Sequence, residues 1–495
     1  MKKDTKIMER SAYRRIGALR TREEFVNYLG SLGLELPVDE KILSEAEGSP
    51  MAQPLKIGPY TLPNRWCTQA MEGWDANDDG TPSELLLNRW KKFGRSGAAL
   101  VWGGEACAVQ EDGRSNPRQL CHNDAHADTM YSELFETVTQ AHREYLKTEG
   151  RDPNETFLVG LQLTHSGRFS KPWADRNTPR IAYHHPMLDA RVKIDPTDDS
   201  YLVTDSDLRQ IIENYVKVAK CAWKAGFHFA DVKHCHGYLA HELLHAVNRP
   251  GPYGGPLENR LRFLREVADG IRTECPGMLI GVRLSVFDAI PGEETKAQFG
   301  TVQNCMSEED LEIVRIMAEE IKIDVLNVTA ASPYYSVYAQ RPSFTPAVEA
   351  VLQPDGSMKI PPRIDPPEDP LFGCCRQIFN ARLLKERFPN LPMVGSAYTY
   401  FQDYLPHVAQ AVVRAGWIDS VGLGRMVLTY GEMAADSLAG RPMDRCRICR
   451  TFSDCTTAPR NGMVSGCYPL DRDYRQMTEA LRLKQLKSPC ARSAE

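Results

Sequence analysis

The sequence contains no uninterrupted run of eighteen or more apolar residues, which is about the length that a membrane-spanning helix needs. The N-terminus carries charges but has neither the apolar core nor the small-residue cleavage site of a secretory signal. We therefore expect a cytoplasmic protein without a membrane partner.

An excess of basic residues is also missing. Lys and Arg number 60 against 65 Asp and Glu, so the formal net charge is -5. Proteins that bind the phosphate backbone usually carry a clear positive excess, and we therefore expect no nucleic-acid partner. Most of the 14 cysteines stand singly in apolar segments, as Cys67, Cys107, Cys221 and Cys275 do, which is typical of buried inert thiols.

No G-x-G-x-x-G sequence opens a helix anywhere in the chain, which argues against a Rossmann dinucleotide-binding unit. Hydrophobic residues make up 42% and charged residues 25%, as in ordinary globular proteins. A length of 495 residues fits a single α/β barrel with insertions.

Short apolar segments alternate with longer amphipathic ones from Leu55 onward, which is typical of repeated β-α units around a parallel sheet. The clearest helix is predicted over Asp207–Ala225, with a capping box from Thr204 to Asp207 and a stop at Gly226. Eight strands predict an α/β fold of the (β/α)8 TIM-barrel class. The predicted strands are Arg65–Ala70, Ala98–Cys107, Phe157–Leu163, Phe229–Lys233, Leu279–Leu284, Val325–Thr329, Pro392–Gly395 and Ser420–Gly424.

The predicted organisation has three parts. Residues 1–52 form an N-terminal helical extension, with a helix from Arg22 to Leu32; residues 53–440 form the barrel; residues 441–495 form a cysteine-rich appendage and tail. The extension either packs on its own barrel, the more common outcome, or covers a neighbour in a homo-oligomer.

Polar residues follow several predicted strands, and in barrels the C-terminal strand ends carry the active site. They stand at Gln162–Arg168, Lys233–Leu239, Arg283, Gly395-Ser396 and Gly424-Arg425. Glycines after the seventh and eighth strands let backbone N–H groups approach an anion, which predicts a phosphorylated cofactor.

These motifs resemble the old yellow enzyme (NADH:flavin oxidoreductase) family over the stretch from Leu55 to Leu428. The resemblance depends on four motifs in one order, which are Pro63-Asn64-Arg65, Gln-Leu-x-His-x-Gly-Arg at Gln162–Arg168, His236-Gly237-Tyr238-Leu239 and Tyr253-Gly254-Gly255 continuing to Phe263.

The resemblance implies FMN as cofactor. It implies that Gln162 binds the pyrimidine edge of the flavin and that Arg283 places positive charge beside N1, where reduced flavin becomes negative. It further implies that the phosphate is held by Gly395, Ser396, Gly424 and Arg425, and that Ala70, Glu105 and Ala106 lie along the isoalloxazine.

Catalysis in reductive members of the family moves a hydride from flavin N5 to an activated alkene while a tyrosine delivers a proton. Tyr238 matches that tyrosine. Two upstream donors usually hold the substrate carbonyl oxygen; here His236 is the second, but the first position is Lys233. A lysine can donate to an enolate-like oxygen or favour a carboxylate. His234 is the alternative donor, although strand alternation turns it to the other face.

Four cysteines gather near the C-terminus with the spacing Cys446-x2-Cys449-x5-Cys455-x11-Cys467. Sulfur-only ligation suits a [4Fe-4S] cluster or structural zinc, and free thiols are the third alternative. A branch of the family that includes 2,4-dienoyl-CoA reductase and trimethylamine dehydrogenase carries a [4Fe-4S] cluster here, although its second gap is shorter. Covalent FMN attachment is not expected, because Glu72 replaces the attaching cysteine of the amine dehydrogenases.

That branch continues into nucleotide-binding domains, which this sequence lacks. We therefore expect either a separate electron-transfer protein as partner or direct reduction by NAD(P)H. The leading hypothesis is an ene-reductase acting on a small-molecule unsaturated carbonyl or carboxylate. Two alternatives stay open, an amine or C–C dehydrogenase passing electrons through the cluster to a partner, and a non-catalytic flavin electron carrier.

Overall fold

The apolar segments pair into one closed parallel sheet. The computed structural model describes residues 13–290, 297–345, 347, 351–352, 358–359 and 365–487. Its strands are Leu55–Ile57 (β1), Tyr60–Leu62 (β2), Trp66–Thr68 (β3), Leu100–Val101 (β4), Ala106–Ala108 (β5), Leu158–Thr164 (β6), Phe229–Val232 (β7), Leu279–Ser285 (β8), Val325–Thr329 (β9), Val351–Leu352 (β10), Met358–Lys359 (β11), Met393–Gly395 (β12) and Ser420–Leu423 (β13). The ring runs β3-β4-β6-β7-β8-β9-β12-β13 and closes from β13 back onto β3, so the predicted (β/α)8 barrel is confirmed.

Each of the eight predicted strand segments overlaps a barrel strand, but the second was predicted as one strand and is two. Gly103 and Gly104 have φ values of 74° and 46°, which an L-residue with a side chain rarely adopts. These two glycines separate β4 from β5, and both short strands then pair with β6. The bend brings the chain close to β6. A Cβ on Gly103 would lie 2.5 Å from the Gln162 backbone nitrogen, so the close approach needs glycine there.

Helices surround the ring and connect its strands. They are Arg22–Ser31 (α1), Glu84–Gly94 (α2), Ala127–Thr148 (α3), Pro186–Val192 (α4), Asp205–Ala225 (α5), Leu239–Leu244 (α6), Leu257–Arg260 (α7), Arg262–Glu274 (α8), Glu308–Arg315 (α9), Val337–Gln340 (α10), Pro370–Arg387 (α11), Leu405–Arg414 (α12), Met433–Ala439 (α13), Asp454–Arg460 (α14), Arg472–Arg475 (α15) and Glu479–Lys487 (α16). The predicted capping box of α5 is present between Thr204 and Asp207, and Gly226 ends the helix with φ 107°. Among the helices that the structure describes, none is long and apolar enough to span a membrane.

The β1–β2 hairpin covers the N-terminal end of the barrel. Ile57 and Leu62 are fully buried and belong to the same apolar cluster as Phe229 and Leu279, the first residues of β7 and β8. This end is filled by apolar side chains. The polar residues that follow the strands therefore collect at the opposite end.

The N-terminal segment packs on its own barrel. The Phe25 ring of α1 stacks on Tyr404 at a centroid distance of 4.4 Å, and the Tyr404 hydroxyl donates to the Leu19 carbonyl at 2.9 Å. At the other end of the chain, α14 and α16 form a small apolar cluster that includes Tyr474 and packs against Leu85 of α2. The division at residues 52 and 440 stays a proposal.

Candidate functional site

A cavity of about 290 Å³ opens at the C-terminal ends of the barrel strands, and one wall comes from α14. Ten predicted site residues line it, namely Ala70, Gln162, Lys233, His236, Tyr238, Arg283, Ser396, Gly424, Arg425 and Cys455. Loops from distant parts of the sequence thus place hydrogen-bond donors, cations and a thiol around one space.

Three predicted flavin-contacting residues do not line this cavity. Glu105 is fully buried and accepts hydrogen bonds from Arg89 and from the Gly73 backbone nitrogen, so its carboxylate is committed elsewhere. Ala106 lies beside Gln162 in the sheet. Gly395 lies behind the wall, where its carbonyl accepts from Gln69 Nε2 at 3.3 Å.

Gln162 and Arg283 are held in place by Asp231, a residue that the sequence analysis missed. Asp231 Oδ2 accepts from Gln162 Nε2 at 2.5 Å and from Trp102 Nε1 at 2.7 Å. Its Oδ1 accepts from the Arg283 backbone nitrogen at 2.8 Å, and burial raises the pKa of Asp231 to about 6. A carboxylate inside the apolar strand Phe229–Val232 was the signal that could have found it.

Arg283 combines positive charge with unused hydrogen-bonding capacity. Its Nη1 donates to the Ala70 carbonyl at 2.9 Å, while its Nε is buried without a partner. A buried cation of this kind is stabilised by an anionic or polar ligand. The pair of Gln162 and Arg283 therefore fits the electron-rich edge of a flavin.

The floor of the cavity requires glycine. A Cβ on Gly422 would lie 1.9 Å from Gln69 Nε2, whereas a Cβ on Gly424 would meet nothing within 4 Å. Gln69 in turn exchanges hydrogen bonds with Asn327 and donates to Ser396 Oγ at 3.2 Å. Gly424 thus leaves space for a ligand, while the absence of a side chain at Gly422 lets Gln69 pack against its backbone.

The same end of the cavity carries several arginines. Arg425 donates to the Pro342 carbonyl at 3.2 Å, and its Nη1 is buried without a partner. Arg341 and Arg460, which the sequence analysis did not single out, also line the cavity. Together with Ser396 and Gly424, this concentration of donors fits a phosphate group.

Tyr238 stands at the centre of a polar cluster on the other side. Its hydroxyl donates to Glu72 Oε2 at 2.7 Å and lies 3.0 Å from the Tyr334 hydroxyl. Lys233 Nζ lies 3.5 Å from the same Glu72 oxygen and 3.8 Å from the Tyr238 ring centroid. Burial, followed by the charge of Glu72, raises the pKa of Tyr238 well above its ordinary value. The phenol is therefore protonated at neutral pH.

His236 is a neutral imidazole in the cavity wall. Its backbone adopts φ 67° and donates to Ser285 Oγ at 3.1 Å, and its Nε2 lies 3.4 Å from Thr329 Oγ1. Burial, followed by the charges of Arg283 and Lys233, holds the pKa of His236 well below its ordinary value. His234 points away from the cavity, as strand alternation predicted, and its Nδ1 lies 2.8 Å from the Val232 carbonyl.

The four C-terminal cysteines differ in exposure. Cys449 is buried, Cys455 and Cys467 are half-buried, and Cys446 is exposed. Burial, followed by the neighbouring Cys449 and Cys455, raises the pKa of Cys467. A tetrahedral zinc site needs sulfurs about 3.8 Å apart. Among the described residues no three cysteine sulfurs lie within 4.8 Å of one another, and the choice among a cluster, zinc and free thiols stays a prediction.

One histidine cluster has metal-like spacing. His241, His245 and Asp288 bring one ligand atom each within 4.8 Å of the others. However, His241 Nδ1 accepts a hydrogen bond from the Gly237 backbone nitrogen at 3.0 Å. The ring proton of the neutral imidazole therefore resides on Nε2, which leaves that nitrogen without a lone pair for a metal.

Several curated proteins are similar to part of this chain. A curated NADH:flavin oxidoreductase of Gibberella zeae is 28% identical over 250 residues, which cover 48% of this chain and 56% of the relative. An NADPH dehydrogenase of Bacillus subtilis is 29% identical over 241 residues, which cover 48% of this chain and 63% of the relative. The match thus spans about half of the chain and less than two thirds of these relatives.

Solved structures share the fold. A complex of 2-naphthoyl-CoA reductase superimposes with a TM-score of 0.64 at 17% identity, covering 86% of this chain and 57% of that one. Histamine dehydrogenase from Rhizobium sp. 4-9 gives a TM-score of 0.58 at 17% identity, covering 84% and 51%.

A family model matches residues 50–340, which contain the strands from β1 to β9 and the polar residues around Gln162, Tyr238 and Arg283. This match covers more than half of the chain. The chain therefore belongs to the NADH:flavin oxidoreductase / NADH oxidase family of flavin-dependent oxidoreductases.

Proposed function

We propose that the protein binds FMN in the cavity and reduces an activated carbon–carbon double bond of a small molecule, with Tyr238 as proton donor. The observation that carries the proposal is the Tyr238 hydroxyl. It is a protonated phenol in the same cavity as the neutral imidazole of His236 and the cation Arg283. An alkene between them would meet a proton source, an oxygen-binding donor and the cofactor.

The residues that would hold the cofactor follow from their contacts. Gln162 and Arg283, both fixed by Asp231, would hold the pyrimidine edge, next to Ala70. Ser396, Gly424 and Arg425 would hold the phosphate. When bound, FMN supplies the hydride, which NAD(P)H delivers to it. Glu105 would act indirectly, since it fixes the Gly73 backbone in the segment after Ala70.

Tyr238 would give its proton to the substrate carbon, and Lys233 would make this step easier. The Lys233 side chain lies over the Tyr238 ring, where positive charge stabilises the negative charge that develops as the phenol loses its proton. Glu72 and Tyr334 orient the hydroxyl. Because Lys233 already faces Glu72, we assign the substrate oxygen to His236, with Lys233 as a positioning residue.

The test is Tyr238→Phe, measured by stopped flow in separate half-reactions. We expect reduction of the flavin by NAD(P)H to be unchanged and alkene reduction to fall about 10²- to 10⁴-fold, the usual contribution of a general acid. Tyr335→Phe is the matched control, because the Tyr335 hydroxyl donates to Asp288 at 2.6 Å and does not line the cavity. Normal alkene turnover in Tyr238→Phe would refute the proton-donor assignment.

A second candidate, an amine or C–C dehydrogenase, is favoured by the cysteine-rich segment. Cys455 of this segment lines the cavity, so an electron-carrying group held by the four cysteines would lie beside the substrate site. Turnover of an enone with NAD(P)H supports the ene-reductase. Turnover of an amine with an artificial electron acceptor supports the dehydrogenase.

We further propose that Cys446, Cys449, Cys455 and Cys467 bind a [4Fe-4S] cluster that exchanges electrons with a separate protein. Three observations support this. Cys455 lines the cavity, Cys449 and Cys455 neighbour Cys467, and Cys446 reaches the surface. A cluster in this position would connect the cavity with the exterior.

A further inference from the structure

Two arginines lie side by side at the end of the cavity where we place the cofactor phosphate. Arg341 follows α10, which comes after β9, and Arg425 follows β13, so the two residues lie in loops after strands that both neighbour β12. The Arg425 Nη2 donates to the carbonyl of Pro342, the residue after Arg341, at 3.2 Å. This bond ties the two loops together, and both arginine side chains line the same cavity.

Neither arginine has a carboxylate partner among the described residues. The Nε of Arg341 and the Nη1 of Arg425 are buried without hydrogen-bond partners. Burial, followed by the charge of Arg425, lowers the pKa of Arg341 to about 9. Adjacent buried cations are unfavourable unless an anion lies between them, so the arrangement calls for a ligand with more than one negative charge.

We infer that Arg341 is a second guanidinium anchor for the cofactor phosphate, opposite Arg425. The inference rests on the proposed FMN site. A phosphate monoester carries a charge between -1.5 and -2 at neutral pH, so one arginine leaves part of it uncompensated and two neutralise it. Nothing in the family motifs pointed to Arg341, because it lies in a loop without periodic pattern.

The other side of Arg341 faces the cysteine-rich segment. Its Nη1 donates to Thr456 Oγ1, and Thr456 follows Cys455 in α14. Both Arg341 and Thr456 line the cavity. A phosphate that fixes the guanidinium would therefore also fix α14, and by reciprocity an ordered α14 would strengthen phosphate binding.

The experiment compares FMN with riboflavin, which lacks the phosphate. Full-length protein freed of flavin is titrated with each compound, and dissociation constants are obtained from flavin fluorescence. For Arg341→Gln we expect FMN to bind about 10- to 100-fold more weakly, while riboflavin changes less than about threefold. Arg341→Lys keeps the charge but not the planar fork, so a loss between these values is expected. Arg447→Gln, which removes an arginine of the same segment that pairs with Glu432 outside the cavity, is the control.

A second measurement follows amide hydrogen exchange in α14. We expect FMN, but not riboflavin, to slow exchange in the native protein, and this difference to disappear in Arg341→Gln. Equal weakening of FMN and riboflavin would make Arg341 a structural residue, and unchanged FMN binding in both Arg341 variants would also overturn the inference. A native protein that binds neither flavin would instead refute the proposed function. If Arg341→Gln does not fold, the FMN-to-riboflavin ratio of Arg341→Lys decides.

Discussion

Glu72 is the residue whose charge most directly affects the proposed proton donor. Its carboxylate accepts from the Tyr238 hydroxyl at 2.7 Å, and after burial it is the largest cause of the raised pKa of Tyr238. Replacing Glu72 by Gln removes the negative charge but keeps a hydrogen-bond acceptor. We therefore expect the pKa of Tyr238 to fall, while burial still holds it above its ordinary value.

The consequence can be measured in the pH profile of alkene reduction. The reaction uses protonated Tyr238, so activity is present below its pKa and is lost as the pH rises through it. In Glu72→Gln this alkaline loss should begin at lower pH than in the native protein. Glu136→Gln, an exposed change on α3, should leave the profile unchanged. If the alkaline loss of activity begins at the same pH in Glu72→Gln as in the native protein, the charge of Glu72 does not affect the ionisation of Tyr238.

Residues that the sequence analysis found and missed differ in a physical way. Arg283 and Tyr238 were found because they follow barrel strands within recognisable motifs. Asp231 and Arg341 were missed, and Glu72 was noted only as the replacement of a cysteine, because their importance comes from contacts between distant parts of the chain. Glu72 and Tyr238 are 166 positions apart. A strand pattern predicts which end of the barrel is functional, but not which loop side chains meet there.

At the element scale, α2 and α3 are joined by a buried histidine. His142 Nδ1 donates to the Gly94 carbonyl at the end of α2, over 3.1 Å, and its ring stacks on Phe157 at 3.8 Å. Burial lowers the pKa of His142 to about 4. The unfolded chain, with a histidine pKa near 6.5, takes up a proton first as the pH falls. This contribution to stability is therefore complete above about pH 6.5 and is lost as the pH falls towards 4.

His142→Gln tests this contribution, since a glutamine can still donate to Gly94 but does not titrate. Between pH 7.5 and pH 5 we expect the native protein to lose about 2 kcal/mol more unfolding free energy than the variant, as measured by urea titration. Other groups titrate alike in both proteins and cancel in the comparison. His126→Gln, an exposed change, should behave as the native protein does. An equal loss in His142→Gln and the native protein would contradict the assignment.

The second barrel strand shows why element boundaries were harder to predict than element type. The apolar run from Ala98 to Cys107 fits one continuous strand by composition. The chain instead bends at Gly103 and Gly104, since two glycines can adopt positive φ values. Without a side chain, the backbone at Gly103 can also approach Gln162 closely. Helix α5 was predicted well for the opposite reason, since its period, capping box and terminal glycine are all local.

On the scale of the whole molecule, the barrel and the cysteine-rich segment share one cavity. Cys455, Thr456, Pro459, Arg460 and Ser465 complete a wall that the barrel loops alone leave open. The segment also contacts α2 through Lys92, which pairs with Asp471 and lies over the Tyr474 ring. The cysteine-rich segment therefore contributes side chains to the wall of the cavity.

Anaerobic purification followed by iron, zinc and acid-labile sulfide analysis tests the cluster. We expect about four irons and four sulfides per chain together with flavin absorption, since four thiolates hold a [4Fe-4S] cluster. In Cys449→Ser and Cys467→Ser, iron should fall while flavin stays bound, whereas Cys221→Ser, an isolated half-buried thiol, should keep both. Cys446 is exposed, so binding of a cluster should protect its thiol from thiol reagents. One zinc per chain without sulfide would instead make the cysteine-rich segment a structural site. The flavin would then pass electrons from NAD(P)H to the substrate without a separate electron-transfer protein.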